Sequence, residues 1–198
     1  MSSYTIIHDI TLELRRRIHA ALLSAPDADL GMTTPETDIT LSLPTNDMAG
    51  SPRLSLYMYY VEPDGTLRNQ RLLEVSATDQ RFPPLALQLH YLITPLADEE
   101  DQNHLILGRV LQHFHDAPFV DSLNGGPLDD SFGGNSNQVR IHLESLTMEQ
   151  LSQIWGALNT DYRISVGYTV RVVTVDSDRG PVQAKRVREA YTVVGVKE

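Results

Sequence analysis

The sequence of 198 residues contains no cysteine, a single tryptophan and no long apolar run. Without cysteine the chain has no disulfide framework, no thiolate metal site and no cysteine nucleophile. No stretch approaches the roughly 18–20 apolar residues that span a bilayer, and residues 1–9 lack the basic start and apolar region of a secretory signal. We therefore predict a protein that is cytoplasmic at synthesis, without a signal peptide or membrane insertion.

The common signatures of catalysis are also missing. No Gly-x-Ser-x-Gly elbow marks a nucleophile, and neither a phosphate-binding loop nor a dinucleotide-binding Gly-rich motif follows a strand. The seven histidines leave a metal-dependent enzyme as the least favoured alternative, and the densest group is His104, His113 and His115. On a helix His113 and His115 lie about 200° apart, and no carboxylate-rich set completes a site for His104 and His115. We predict no enzyme activity, no cofactor and no metal site.

Negative charge is concentrated in the middle of the chain. The formal net charge is −10, and residues 24–130 carry 17 acidic and five basic side chains, while the segments on either side carry +1 each. An acidic protein is a poor nucleic-acid binder, because such binding depends on Lys and Arg at the phosphates. A small basic cluster near the C-terminus is either an ordinary solvated turn or a face for an acidic patch on a neighbouring copy or partner.

Apolar residues at spacings of three and four predict three helices. We expect them at residues 4–24, 98–115 and 147–158. Thr147 and Gln150 are spaced as a capping box, and four acidic residues open the second helix, where the helix dipole favours them. Arg15, Arg16 and Arg17 lie off the apolar stripe of the first helix and are predicted to be solvated.

Alternating apolar residues predict strands at residues 39–43, 54–60, 85–94, 139–143, 164–175 and 187–196. The strand at 85–94 is apolar on both faces and should be central, and the last two strands are expected to pair. Pro63-Asp64-Gly65 predicts a turn into the second arm of a hairpin, at 66–75. We predict an α+β fold: a single mixed, mainly antiparallel sheet, with an N-terminal helix and two further helices packed on it. The length fits one domain over residues 1–198.

A Gly- and Asn-rich loop is expected at residues 121–138. Loops of this length are uncommon inside a compact domain and are usually functional or mobile. We predict that this loop and the basic cluster contact partners. The candidate partner-binding residues are Asn124, Gly125, Gly126, Asp129, Asp130, Arg179, Lys185, Arg186 and Arg188.

Four segments carry a resemblance to a known family. Residues 82–94 (FPPLALQLHYLIT) resemble the PPLAL-x-LHYLLT signature of a family found in contractile injection systems. Residues 104–120 (HLILGRVLQHFHDAPFV), 139–158 (VRIHLESLTMEQLSQIWGAL) and 162–176 (YRISVGYTVRVVTVD) look like that family's later helices and strands, in the same order. The sequence thus resembles the cap or tail-terminator family of extracellular contractile injection systems, phage-tail-like particles such as the Photorhabdus virulence cassettes and the antifeeding prophage.

The resemblance implies a structural assembly protein. Such a protein forms a ring, expected to be a hexamer, that ends the inner tube and contractile sheath at the distal end of a particle. Its partners are further copies of itself and the sheath and inner-tube proteins. A baseplate or adaptor component remains an alternative. Many members carry an additional C-terminal region, so the terminator, cap and paralogue roles stay open.

A terminator must also bind the last ring of the tube or sheath polymer. It can do so by adding strands at an open sheet edge, and the expected edges are the strands at 164–175 and 187–196.

Overall fold

A computed structural model describes residues 4–26, 29–45, 50–65, 71–76, 79–123, 126–127 and 139–183. Among these residues the chain forms four helices and eleven strands. The helices are α1 (Ile6–Leu23), α2 (Pro35–Asp38), α3 (Glu100–Asp116) and α4 (Met148–Leu158). The strands are β1 (Ile39–Thr40), β2 (Leu54–Pro63), β3 (Leu73–Glu74), β4 (Asp79–Arg81), β5 (Leu85–Pro95), β6 (Phe119–Val120), β7 (Ser122–Leu123), β8 (Gly126–Pro127), β9 (Val139–Glu144), β10 (Val166–Val175) and β11 (Val182–Gln183).

The main sheet has six strands in the order β1-β2-β5-β10-β9-β6. Only β1 and β2 run parallel, and the other pairs are antiparallel. The predicted α+β class with a mixed, mainly antiparallel sheet is confirmed, and β5 lies inside the sheet as predicted. Two small sheets, β11-β4-β3 and β7-β8, were not predicted. Their strands have two or three residues, too few to show a period in the sequence.

One face of the sheet is covered by α1 and α3. The apolar stripes of both helices and every second residue of β5 form one cluster of buried side chains. Its members include Ile10, Leu14, Ile18, Leu22, Leu89, Tyr91, Ile93, Ile106, Val110 and Phe114. Each fully buried side chain of this kind stabilises the fold by about 1.5–3 kcal/mol. The helical spacing seen in the sequence thus defines the principal core.

The opposite face carries α4. Leu92, from the alternate face of β5, packs with Leu151 and Trp155 of α4, and Trp155 is 2% exposed. The helix begins at the predicted capping box, in which the Gln150 N–H donates to Thr147 Oγ1 and the Thr147 N–H donates to Gln150 Oε1. It ends at Asn159, which adopts the left-handed conformation with φ 53°. Trp155 is therefore a packing residue.

The predicted hairpin after β2 is wrong over residues 71–75, and residues 66–70 of its second arm lie outside the described part of the chain. β2 pairs with β5 and, at its first two residues, with β1, whereas β3 pairs with β4 in a separate sheet. The turn residue Asp64 instead continues the β2–β5 ladder, since its N–H donates to the Ala86 carbonyl at 2.8 Å. Its buried carboxylate accepts from Arg171 Nη2 of β10 at 3.2 Å. These long-range bonds override the local turn signal.

Two further expectations need correction. Arg15 and Arg17 are half-buried, not solvated: Arg15 bonds to Glu36, and Arg17 donates to Glu13 and to the Phe119 carbonyl. The strand β10 is also not an edge, because β5 and β9 flank it. A strand at 187–196 cannot pair with residues 167–171 of β10 on the side where β9 already pairs with them. Residues 187–196 themselves lie outside the described part of the chain.

The predicted connection at 24–37 contains a short helix that holds α1 to the sheet. Asp38, at the end of α2, accepts hydrogen bonds from the Thr33 N–H and from the hydroxyls of Thr33 and Thr37, and its Oδ2 lies 3.1 Å from His19 Nε2 on α1. Burial acts to raise the pKa of Asp38, but these hydrogen bonds outweigh it and hold the pKa below its ordinary value. The carboxylate is thus a charged anchor inside the fold.

Candidate functional site

Two of the nine predicted partner-binding residues lie in the described part of the chain. Gly126 is opposite Leu123 in the small β7–β8 sheet. Arg179 is exposed after β10, with its guanidinium 4.9 Å from the centre of the Phe82 ring. The other predicted residues lie outside the described residues: Asn124, Gly125, Asp129, Asp130, Lys185, Arg186 and Arg188.

The histidines of α3 do not come together. His104 is exposed beside Glu100, and His113 lies at the α1–α3 contact against the Phe114 ring. Burial, followed by the nearby cations of Arg17 and Arg109, lowers the pKa of His113, so this ring is neutral at pH 7. Across the described residues, no group of three or more His, Cys, Asp or Glu side chains is placed to hold a metal ion.

An apolar groove, here called the β9 groove, lies between the C-terminal half of α3 and strand β9. Its volume is about 700 Å³. It is lined by Leu111, Gln112, Phe114, His115, Pro118, Phe119, Arg140, Ile141, His142, Leu143 and Tyr168. Leu143 and Phe119 are 58% and 40% exposed. Exposed apolar patches beside grooves are a feature of interaction surfaces.

Unpaired backbone lies along this groove. The Ile141 N–H donates to the Pro118 carbonyl on the outer side of β9. Residues two apart along a strand direct their backbone N–H and C=O groups to the same side. The N–H and C=O of Leu143 therefore also point away from β10. Among the described strands, β6 covers only Val139 and Arg140. No described strand therefore covers the sheet beside Leu143.

At the opposite edge of the main sheet, too, the described strands leave part of the edge strand uncovered. β1 covers only the first two residues of β2, and no other described strand pairs with the outer side of that strand. A bulge between Met58 and Tyr60 interrupts its ladder with β5. Beyond the bulge Tyr60 and Val61 are 51% and 38% exposed. This edge, from Leu56 to Pro63, is called the β2 edge below.

Polar side chains from four strands meet on the sheet face that carries α4. Glu144 Oε2 of β9 accepts from the Tyr59 hydroxyl at 2.9 Å and lies 3.2 Å from His90 Nδ1 and 3.4 Å from Thr169 Oγ1. His90 is 8% exposed, and its Nε2 is 3.4 Å from a Glu62 oxygen at ion-pair distance but without hydrogen-bond geometry. The cluster therefore cross-links β2, β5, β10 and β9.

The Tyr59 hydroxyl acts only as a donor in this cluster. Burial, and then the hydrogen bond and the charge of Glu144, raise the pKa of Tyr59 far above its ordinary value. The bulge places Tyr59 where its hydroxyl reaches Glu144 across two strands. Such a buried polar network fixes strand register.

Neither the β9 groove nor this polar cluster was predicted. Phe119, Arg140 and Leu143 lie in two short segments that no sequence period connects. The partner of His90, Glu144, is 54 residues away along the chain. His90 and Thr169 lie on different strands, and only the register of β10 between β5 and β9 brings their side chains together.

The architecture matches two solved structures of proteins that end tubes in contractile injection systems. One is the sheath/tube terminator of the PVC extracellular contractile injection system in its extended state, with a TM-score of 0.61 and 21% identity over 100% of this chain and 66% of that chain. The other is the tube-terminating cap of the anti-feeding prophage, with a TM-score of 0.57 and 17% identity over 93% of this chain and 60% of that chain. This chain thus spans about two thirds of the length of these proteins.

The family model of the Pvc16 N-terminal domain matches residues 9–189, so the chain belongs to that family. The resemblance seen in the four sequence motifs is thereby confirmed. No curated protein sequence matches the chain. Within its described portion, no helix has the length and apolar character needed to cross a membrane.

Proposed function

We propose that this protein caps or terminates the tube and sheath of a contractile injection system, as a ring of copies at the distal end of the particle. The observation that carries the proposal is family membership over residues 9–189 together with a shared fold over the whole chain. The two similar structures are named a sheath/tube terminator and a tube-terminating cap. The role is structural, without catalysis, and is filled by one tail-terminator domain in a particle that works outside the cell.

Two sheet edges that the described strands cover only in part support a role in binding sheath or tube. An exposed sheet edge is a template for an added strand from another chain, and soluble proteins usually cover or charge such edges. Here the β2 edge presents Tyr60 and Val61, and the β9 groove presents Leu143 beside unpaired backbone. We assign contact with sheath or tube to the β2 edge, since it is the longer of the two.

Localisation on the particle tests the proposal. The chain is given a peptide tag at its N-terminus, produced in place of the untagged protein, and detected on purified particles with gold-labelled antibody. Label at one end only, opposite the baseplate, is expected. Label at the baseplate end would favour the baseplate or adaptor alternative, and label along the sheath would contradict both roles.

The loop and basic-cluster residues remain predicted contacts. A deletion of residues 124–135 and, separately, replacement of Arg179, Lys185, Arg186 and Arg188 by Gln test them in the same labelling experiment. Loss of end label in one variant, with unchanged amounts of soluble protein, supports that segment as a contact. Unchanged label in both variants would remove these residues from the interface.

A further inference from the structure

The β9 groove differs in charge from the rest of this acidic protein. Its floor is apolar, and three exposed residues with basic side chains, His115, Arg140 and His142, are among those that line it. No acidic residue is present among the described residues that line it. Arg140 stacks on Phe119, with 5.5 Å between the guanidinium carbon and the ring centre.

A surface of opposite character lies at the other end of α3. Asp98, Glu99, Glu100 and Asp101 are all exposed at the start of this helix. A cleft beside them contains Asp161 and the half-exposed Tyr162 and Ile164, which are 50% and 39% exposed. This surface, called the acidic end, thus combines carboxylates with two large apolar side chains.

The two surfaces are far enough apart to be used at the same time. At 1.5 Å per helical residue, the first turn of α3 and the groove residues Leu111–His115 are about 15 Å apart along the helix axis. They also adjoin different strands: the acidic end follows the C-terminus of β5, and the groove lies along β9. One copy can therefore contact two neighbours.

We propose that the acidic end of one copy docks into the β9 groove of the next, a head-to-tail contact between identical chains. Tyr162 and Ile164 would cover Leu143 and Phe119, and the carboxylates of the acidic end would face Arg140 and the two histidines. A contact between two different patches is heterologous and closes into a ring when its rotation allows. This inference rests on the proposed capping function, for which it supplies the contact between ring subunits.

The cations at the acidic end do not cancel its charge. Arg53, which donates to Gln102 at 3.0 Å, and the half-exposed Arg163 bring two positive charges to this surface. They stand against five carboxylates, those of Asp98, Glu99, Glu100, Asp101 and Asp161. The docked carboxylates would be partly screened by salt. Association of the wild-type chain should therefore weaken as the ionic strength rises.

Two truncation variants test the contact. The groove variant is Arg140→Ala/Leu143→Ala, and the acidic-end variant is Glu99→Gln/Tyr162→Ala. We expect each to raise the dissociation constant for self-association at least about tenfold, because buried Tyr and Arg side chains are the usual energetic centres of interfaces. The measurement is the mass distribution by sedimentation velocity, with melting temperature as the check that each variant folds.

Mixing the two variants distinguishes a head-to-tail contact from a symmetric one. The groove variant keeps an intact acidic end, and the acidic-end variant keeps an intact groove, so one contact can still form between them. Native mass spectrometry of an equal mixture should therefore show heterodimers and no larger rings. A symmetric groove-to-groove contact would instead leave the acidic-end variant fully associated by itself.

The matched control is Met148→Ala/Glu149→Gln on the exposed side of α4, which removes one large apolar and one acidic side chain outside both surfaces. It should associate like the wild type. A wild-type chain that stays monomeric up to its highest soluble concentration, or variants that associate like it, would overturn the inference. End label that persists in a variant unable to self-associate would contradict the role of this contact in the cap but not the capping function. A wild-type chain that self-associates through this contact but gives no end label would contradict the capping function and not the contact.

Discussion

At the scale of single residues, Glu144 holds the polar cluster together. One carboxylate oxygen serves Tyr59, His90 and Thr169, so its removal leaves several buried groups without a partner. We expect Glu144→Leu to lower the free energy of unfolding by about 1–3 kcal/mol. Glu144→Gln should cost less, because the amide oxygen still accepts from Tyr59.

Urea denaturation of these two variants measures the difference. The exposed Glu149 supplies the control, since Glu149→Leu should change stability by no more than about 0.5 kcal/mol. Equal stability of Glu144→Leu and the wild type would show that the cluster does not cross-link the sheet.

Asp38 gives the fold a defined dependence on acid. Its pKa in the folded protein lies below the ordinary value of 3.8, so its ionised form stabilises the folded state at pH values above the unfolded pKa. This contribution is lost as the pH falls through the folded pKa. The stability difference between wild type and Asp38→Asn should be largest near pH 7 and shrink below about pH 4.

Chemical denaturation of both proteins at a series of pH values measures this. The Asp178→Asn variant, changed at an exposed residue after β10, is the control and should show no such pH-dependent difference. A constant difference between wild type and Asp38→Asn from pH 7 to pH 3 would contradict the proposed charged anchor.

Single residues also show where prediction from sequence ended. The apolar stripe of α1 was evident from spacing, because burial on one helix face is a local pattern. The role of Arg17 was not, since its partners Glu13 and the Phe119 carbonyl include a group 102 residues away. A polar side chain on a helix is assigned to solvent by pattern, and only tertiary contacts reveal that it bridges α1 to the edge of the sheet.

At the scale of elements, α4 is fixed by its cap and by Trp155. Thr147→Ala removes the hydroxyl that accepts from the Gln150 N–H and should cost about 1 kcal/mol. Thr147→Ser keeps the hydroxyl and should stay close to the wild type. Trp155, the one tryptophan, reports on α4 directly, because it is buried against Leu92.

Tryptophan fluorescence during urea unfolding compares these two variants. The loss of stability in Thr147→Ala should appear in the Trp155 emission as a transition at lower urea concentration. If Thr147→Ala and Thr147→Ser unfold at the same concentration, the cap does not hold the helix.

Pro63 shows which backbone groups point away from the sheet at the β2 edge. The Asp64 N–H donates inward to β5, so by alternation the Pro63 nitrogen and the Val61 N–H point outward. Proline is tolerated on the outer side of an edge strand. Val61→Pro should therefore keep the fold and block strand addition, whereas Val61→Ala keeps the N–H.

The particle-labelling experiment distinguishes the two substitutions. Val61→Pro should lose end label and Val61→Ala should keep it, with similar melting temperatures. Full label with Val61→Pro would exclude strand addition at the β2 edge as the way in which the cap is held.

Elements were predicted where their signal is local and long. The three long helices and the central strand β5 follow from apolar spacing over ten or more residues, and the cap of α4 follows from two side chains. The hairpin after β2 failed because turn residues specify a bend but not the next partner of a strand. The choice of β5 as partner, 22 residues beyond Pro63, depends on the apolar faces of both strands.

At the scale of the whole molecule, two helical layers cover a sheet whose edges are only partly covered by the described strands. The core provides stability, and the β2 edge, the β9 groove and the acidic end remain available to other chains. A stable core with separate exposed contact surfaces fits a subunit that binds neighbouring chains. The four motifs of the sequence report mostly on the core, which explains why they identify the family but not the contact surfaces.

Particle length tests the central claim most directly. Particles from cells lacking this protein and from cells with it restored are compared by negative-stain electron microscopy. The capping role predicts that particles lacking the protein have baseplates but variable lengths or frayed distal ends, and that restoration gives uniform lengths and closed ends. Particles of normal length with intact ends in the absence of the protein, or particles without baseplates, would contradict it.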